Sequence, residues 1–486
     1  MTLSLLTTTA SKMAMKRELP LSTFIPYSHL ADAQTFVTKN GALGSVISLS
    51  GLAFEVSDED DLMAHYRQFS RLVQSLSPSM ALYVTWHRHQ EQAYPEGDFP
   101  EGFAHDFNEA YKNKFIHQML YTNDLYVTIL VKGASETGMK TTKFFKKFYH
   151  KAHQEALTTF VEKQQEKLDQ AVREALHALA EFSPRILGEA SQRTTKSSEL
   201  LGFLGLFVNG KASPLAYPLM DLSQYLPQRR VSTGHQTLEF SGAKESDRAY
   251  GALLSIKQYG HETDGACLRK FLTQDFEFIS THSFCPEPND SVIDLMKKQH
   301  RRFKEVDAMG DSLTDSLEEA VDGVRSEFVS FGWHHHSLLV MSENTKKLKD
   351  SVSKAIDIYR QAQLIVVRES LNCEAGFFAQ MPGNFAHIAR RALISNENFA
   401  DFSPLHNYHH GYQNGNHLGS SVILVESKGK TPLNLNLHER GVVHDPALGH
   451  SLIVAPSSSG KTVLLCAIDA MMKKYKGRSF FFDRDQ

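Results

Sequence analysis

Residues 449–486 read "GHSLIVAPSSSGKTVLLCAIDAMMKKYKGRSFFFDRDQ". The stretch divides into an apolar run "HSLIVA", a short polar turn "PSSSG" and an amphipathic run "KTVLLCAIDAMMKKY", which predicts strand, loop and helix in that order. That order suits phosphate binding. A strand brings the chain to a sheet edge, a tight loop turns backbone N–H groups inward, and the positive end of the helix faces the anion. The pattern G-x-x-x-x-G-K-[ST] is met by Ala455, Pro456, Ser457, Ser458, Ser459, Gly460, Lys461 and Thr462, except that Ala455 stands at the first glycine. Alanine is the smallest departure available there. On this reading the amides of Ser458, Ser459, Gly460 and Lys461 cradle phosphate oxygens. Lys461 reaches the β/γ-phosphates, and Thr462 offers its hydroxyl to Mg²⁺. A second strand, "RSFFFDRD", ends in Asp483 and Asp485, carboxylates suited to metal-bound water or a ribose, and equally to capping a helix or pairing with Lys or Arg.

The remainder of the chain sets this loop in a large globular protein. Its 486 residues allow two to four domains, and 41% apolar with 22% charged residues is ordinary globular usage. The 52 basic and 55 acidic residues are well mixed, with a formal charge of −3, so no basic footprint favours nucleic acid as the main partner. The four cysteines, Cys267, Cys285, Cys373 and Cys466, match no metal-ligand spacing and suit a reducing compartment. The first 20 residues lack the basic start and apolar core of a signal peptide and read as a disordered leader. No run of 18 apolar residues is present, so no membrane-spanning helix is expected.

Along residues 21–190 the pattern alternates between strand and helix. Asn40-Gly41 between two apolar runs predicts a hairpin. Leu62, Tyr66, Phe69, Val73 and Leu76 fall on one helical face, and Met80, Leu82, Val84 and Trp86 alternate as in a half-buried strand. "NDLYVTILVKG" reads as a central strand. A long helix is predicted over 141–182, packed on its own domain or, alternatively, facing a partner as a coiled coil. Residues 191–427 give a second α/β unit: a helix, β-rich sequence to 285, two charged helices over 290–330, then strand, helix and strand to 369. Residues 403–421 are loop-like, and the main boundary is placed at 428, where the phosphate-loop domain begins. No internal repeat is apparent.

Other candidate residues read as structural or surface groups. In His334-His335-His336 alternate rings point to opposite faces of a strand, and no carboxylate or Cys lies close in sequence to complete a metal site. His406, His409, His410 and His417 share a loop without regular ligand spacing.

The chain resembles the conjugative-transfer and type IV secretion ATPases of the CagE/TrbE/VirB family. The resemblance begins near "LSTFIPYSHLADAQTFVTKNGALGSVISLSGLAFE" and continues through "FPEGFAHDFNEAYKNKFIHQMLYTNDLYVTILVKG" and "FLTQDFEFISTHSFCP". Its most specific piece is "EAGFFAQMPGNFAHIARRALISNENFADFSPLHNY", followed in order by "TPLNLNLHE", the phosphate loop and "FFFDRDQ". The resemblance implies an α/β fold: a mixed α+β N-terminal domain of two subunits, then the beginning of a RecA-like P-loop domain. It implies an ATPase using ATP and Mg²⁺ at the cytoplasmic face of the bacterial inner membrane. Its partners would be inner-membrane components of the secretion channel and further copies of itself, as a hexamer or dimers. Only 24 residues follow Thr462, too few for a RecA-like sheet, so the sequence is expected to hold a complete N-terminal region and the opening of a motor that alone hydrolyses ATP poorly. Two alternatives are a DNA-translocating motor, which the charge balance does not favour, and a scaffold in which the loop is incidental.

Overall fold

The structure is a computed structural model that describes residues 19–55, 57–133, 150–190, 196–260, 262–305, 311–427, 429–438 and 449–482. Its frame arises from apolar runs that pair as long antiparallel strands. Tyr27–Leu30 (β1), Thr35–Thr38 (β2) and Leu43–Leu49 (β3) form a meander, with Gly41 at φ 77° in the Asn40-Gly41 turn as predicted. Met80–Glu91 (β4) and Leu120–Val131 (β5) come next. Further along are Arg230–Thr233 (β6), Leu238–Ser241 (β7), Ala249–Gln258 (β8), Glu277–Pro286 (β9) and Phe331–Ser342 (β10). All join one antiparallel sheet in the order β1-β2-β3-β5-β4-β9-β10-β8-β7-β6. Three short strands sit beside it: Arg185–Ile186 on β3, Ile365–Arg368 on β8 and Ala392–Ser395 on β10.

From either edge inward, this order is the same. Each half has an outer hairpin, a first long strand, and then two more long strands whose spatial order reverses their sequence order. The halves meet where β4 pairs with β9, from Leu82↔Phe284 to Arg88↔Phe278. The agreement extends to the elements beyond the last long strand of each half. In the first half β5 leads to the helix His150–Ala178 (α3), the short strand Arg185–Ile186 and the helix Glu199–Asn209 (α4). In the second, β10 leads to Thr345–Gln361, the short strand Ile365–Arg368 and Cys373–Ala379. The structure thus contains an internal repeat that residue identities do not display.

Two apolar layers cover the sheet. One face packs Phe69, Leu72 and Val73 of helix Glu59–Ser75 (α1), Leu168, Val172 and Ala175 of α3, and Leu348, Val352 and Ile358 of Thr345–Gln361. The other face is filled by α4, buried from Leu200 to Asn209, and by Cys373, Phe377 and Phe378. Helix α4 is apolar all round because sheet and loops enclose it. The same enclosure corrects the expectation of a half-buried β4: every residue from Ala81 to Arg88 is buried, since helices lie on both faces. Two charged helices, Asn289–Glu305 and Asp311–Arg325, cross between β9 and β10 as expected. The start of the predicted 141–182 helix lies outside the described residues, and its described part packs on β3, β5 and α1.

Arg88 is the largest fully buried side chain. Its Nε donates to Gln274 O at 2.7 Å, Nη1 to Asn123 Oδ1 at 2.8 Å and Nη2 to Gly429 O at 3.0 Å, and the guanidinium lies 4.9 Å from the Tyr121 ring centroid. Burial lowers its pKa to about 10, so it remains charged at neutral pH. Gly429 belongs to the turn between Ile423–Glu426 and Pro432–Leu435, and Tyr121 N–H donates to Lys430 O at 2.9 Å beside it. Gly429 and Lys430, which follow the expected boundary, are thus held against the main sheet.

The consecutive histidines are buried, not at the surface. His334 and His336 share one face of β10, as the strand period requires. His334 contacts Tyr259 Oη at 2.8 Å through Nδ1 and His282 Nδ1 at 3.2 Å through Nε2, and His336 Nε2 contacts Tyr359 Oη at 2.5 Å. Burial lowers the pKa of all four rings, His335 to about 4 and His336 to about 3.

Replacing Arg88 by Met strips three oxygens of their donor and should cost roughly 3 kcal/mol or more, read as a lower urea midpoint. Arg88→Lys should recover only part, because one ammonium does not span the three acceptors; a loss within ~0.5 kcal/mol for Met would contradict this role. The histidines predict acid sensitivity with a defined sign. Their folded pKa lies below the ordinary 6.5, so the unfolded chain binds more protons below that value. Their contribution is complete above about pH 6.5 and is lost as pH falls towards about 4 for His335 and about 3 for His336, on the order of 2 kcal/mol per ring at pH 5. Urea midpoints measured from pH 7.5 to 5 should show this slope, and His336→Phe should flatten it.

Candidate phosphate-binding site

Residues 456–460 form an exposed turn, and Lys461–Met472 the helix that follows it. Two residues give the turn its shape. Ser458 has φ 62° and Gly460 φ 90°, both left-handed, and nothing lies within 4 Å of where a Gly460 Cβ would project. The first helical hydrogen bond runs from Leu464 N–H to Gly460 O at 3.0 Å, so the amides of Lys461, Thr462 and Val463 precede the intrahelical ladder. No side chain caps this end. The Lys461 ammonium folds back over the turn and donates to Ala455 O at 2.8 Å and Pro456 O at 2.9 Å. Ammonium, leading amides and positive helix end thus gather on one exposed loop, an arrangement that fits a phosphate group.

The helix is anchored through its other end. Ile468 and Met471 pack with Val422 and Ile423, and with Phe107 and Tyr111 of helix Phe103–His117. Lys474 Nζ donates to Ser421 O and Tyr475 Oη to Ser420 O; burial brings the Lys474 pKa down to about 8.

The two flanking strands do not appear as expected. Residues 449–455 and 477–482 join no ladder among the described residues. A strand exists only where a neighbour accepts from its N–H groups and donates to its C=O groups, and among the described residues none pairs with either segment. Leu452 is 89% exposed and Phe482 97%. Asp483 and Asp485 lie outside the described residues.

A second polar constellation escaped the sequence reading. His87 and His89, two apart on β4, share a face, and the cross-strand partner of His87 is Asp124 on β5. Their ring nitrogens converge on one carboxylate oxygen: His89 Nε2 lies 3.0 Å from Asp124 Oδ2 and His87 Nδ1 3.5 Å. Burial favours the uncharged carboxyl of Asp124, but its histidine neighbours outweigh this and hold its pKa well below the usual carboxylate value. The signal available was His-Arg-His in a strand, which places both rings on one side. The loop histidines form no metal-ligand group among the described residues.

Comparison with known proteins agrees with this architecture. A family model described as "CagE, TrbE, VirB family, component of type IV transporter system" matches residues 185–390. A second, "Type IV secretion system ATPase VirB4/TrbE, N-terminal domain", matches residues 34–138. The type IV secretion system protein virB4 of Bartonella henselae is 29% identical over 479 residues, 97% of this chain and 59% of that protein. The PtlC homolog of Bordetella bronchiseptica is 25% identical over 501 residues, covering 98% and 59% of the two chains. The virB4 protein of Brucella suis is 26% identical over 494 residues, covering 97% and 58%. The chain therefore spans about three-fifths of the length of these curated relatives. The matches run across both halves of the sheet, and the chain belongs to the CagE, TrbE, VirB family of type IV transporter components.

Proposed function

We propose that this chain supplies the docking body and the nucleotide phosphate loop of an ATP-driven component of a type IV secretion system. The observation that carries the reading is the loop itself: left-handed Ser458 and Gly460, the leading helical amides, and the Lys461 ammonium over Ala455 O and Pro456 O. The family description of the first half as part of a secretion ATPase supports it.

In this reading ATP supplies the phosphoryl group and Mg²⁺ offsets its charge. Lys461 would exchange its two carbonyl contacts for phosphate oxygens, the amides of Ser458 to Lys461 would donate to them, and Thr462 Oγ1 would serve as a metal ligand. The segments 449–455 and 477–482 would pair as strands of a RecA-like motor sheet, which would cover their exposed apolar residues. The two-sided sheet of residues 21–427 would act as the docking body, meeting inner-membrane components of the channel at its cytoplasmic face, with further copies of the chain as a hexamer or dimers. Among the described residues no helix is long and apolar enough to cross a membrane, which agrees with docking through partners. The balanced charge lends no support to DNA as the main ligand.

Titrating the chain with a fluorescent ATP analogue tests this. Lys461→Ala should weaken binding by about tenfold or more, the worth of one charged contact. Thr462→Ala should weaken it only when Mg²⁺ is present. Equal affinity in wild type and Lys461→Ala would sink the assignment.

A further inference from the structure

We propose that His87, His89 and Asp124 form a binding site for a divalent transition-metal ion of the Zn²⁺ type. The three ligand atoms lie within 4.8 Å of one another, with two of the three separations at 3.0 and 3.5 Å. Bonds of about 2.0–2.1 Å in a tetrahedral shell place ligand atoms about 3.3–3.4 Å apart. The side chains therefore need only close the remaining gap between the two rings, whose centroids are stacked at 4.5 Å. Two imidazoles and one carboxylate make a borderline set that suits zinc better than magnesium or calcium.

A purely hydrogen-bonded triad accounts less well for the same geometry. His87 is buried, and its Nδ1, though 3.5 Å from Asp124 Oδ2, has no hydrogen-bond partner. Both rings aim at a single carboxylate oxygen, which a cation between them would serve. The side chains of His89 and Asp124 are 26% and 34% exposed against 6% for His87, so one side opens to solvent and leaves room for water as a fourth ligand.

The position gives the site a consequence. It bridges β4 to β5 next to Asn123, whose O accepts from Asn407 Nδ2 of the segment 403–421 at 2.9 Å and whose Oδ1 accepts from Arg88. His410 of the same segment is half-buried and within reach of the Asp124 charge. Metal binding would stiffen the sheet end on which the hairpin before the phosphate loop rests.

The experiment uses the full chain without a polyhistidine tag, stripped with chelator and titrated with Zn²⁺ against a fluorescent competitor, with Co²⁺ absorption as a second probe. One equivalent should bind, raising the melting temperature reversibly to chelator. His89→Gln and Asp124→Asn should each weaken binding by more than about tenfold, since losing even an outer partner of a ligand costs that much. His105→Ala, at an exposed histidine beside Asp106, should change nothing and so serves as the control for adventitious binding by histidines outside the site. Unchanged Zn²⁺ affinity in folded His89→Gln, or no binding by wild type at micromolar Zn²⁺, would overturn the proposal. His89 is partly exposed, so this variant decides the matter even if Asp124→Asn fails to fold.

Discussion

A guanidinium with no carboxylate partner among the described residues ties the parts of this molecule together. Arg88 gives its donors to Gln274 O, Asn123 Oδ1 and Gly429 O, so one side chain links the first half of the sheet, the second half and the hairpin after both. A buried charge is tolerable only when its donors are satisfied. Here the acceptors are two main-chain carbonyls and one amide oxygen, and of these Gly429 O has only the Thr431 hydroxyl, at 3.4 Å, as a further donor. The requirement is mutual, and it fixes where the hairpin turn sits. Arginine suits the place because its planar fork presents several donors in fixed directions at once.

The repeated halves give that linkage its symmetry. Each half alone presents a long strand, β4 or β9, with an unpaired edge, which is a liability in water. Joining the two edges removes both and makes one wide sheet with apolar layers on each face. Helices α3 and Thr345–Gln361 cover one side, and α4 and Cys373–Ala379 the other. The geometry is shared while the side chains differ, since α4 is eleven residues long and its counterpart seven. A repeat of this kind is carried by strand order rather than by residue identity.

That explains which parts were legible in the sequence. Local signals read correctly: the Asn40-Gly41 turn, the apolar face of α1 and the run forming β5 each report a neighbourhood of a few residues. The alternation in β4 misled, because Ala81, Tyr83, Thr85 and His87 are also buried, the first two in the apolar layer of a helix more than a hundred residues away. The triple histidine was read as structural or at the surface; it is buried, and its depth depends on Tyr259, His282 and Tyr359, none of which is close in sequence. His87, His89 and Asp124 went unseen for the same reason: the strand register that brings the carboxylate across is a long-range fact. The turn before residue 461 and the helix after it were legible from their own residues, because both are local chemistry.

The phosphate loop is held asymmetrically, and this bears on what it can do. The far end of its helix is anchored by Ile468, Met471, Lys474 and Tyr475, while residues 456–460 stand in solvent. The helix therefore fixes the direction of its dipole, but no strand ladder fixes the entry to the turn. Phe480, Phe481 and Phe482 are 67–97% exposed, forgoing on the order of 2 kcal/mol each relative to burial. A run so apolar beside a phosphate loop fits the inner strand of a sheet, where its neighbours would hold residues 449–455 as well. Phosphate affinity draws on amides and an ammonium that are already placed, but catalysis demands positions held to a fraction of an ångström. Under the proposed function, nucleotide binding would depend on the helix, and turnover on the pairing of these two segments.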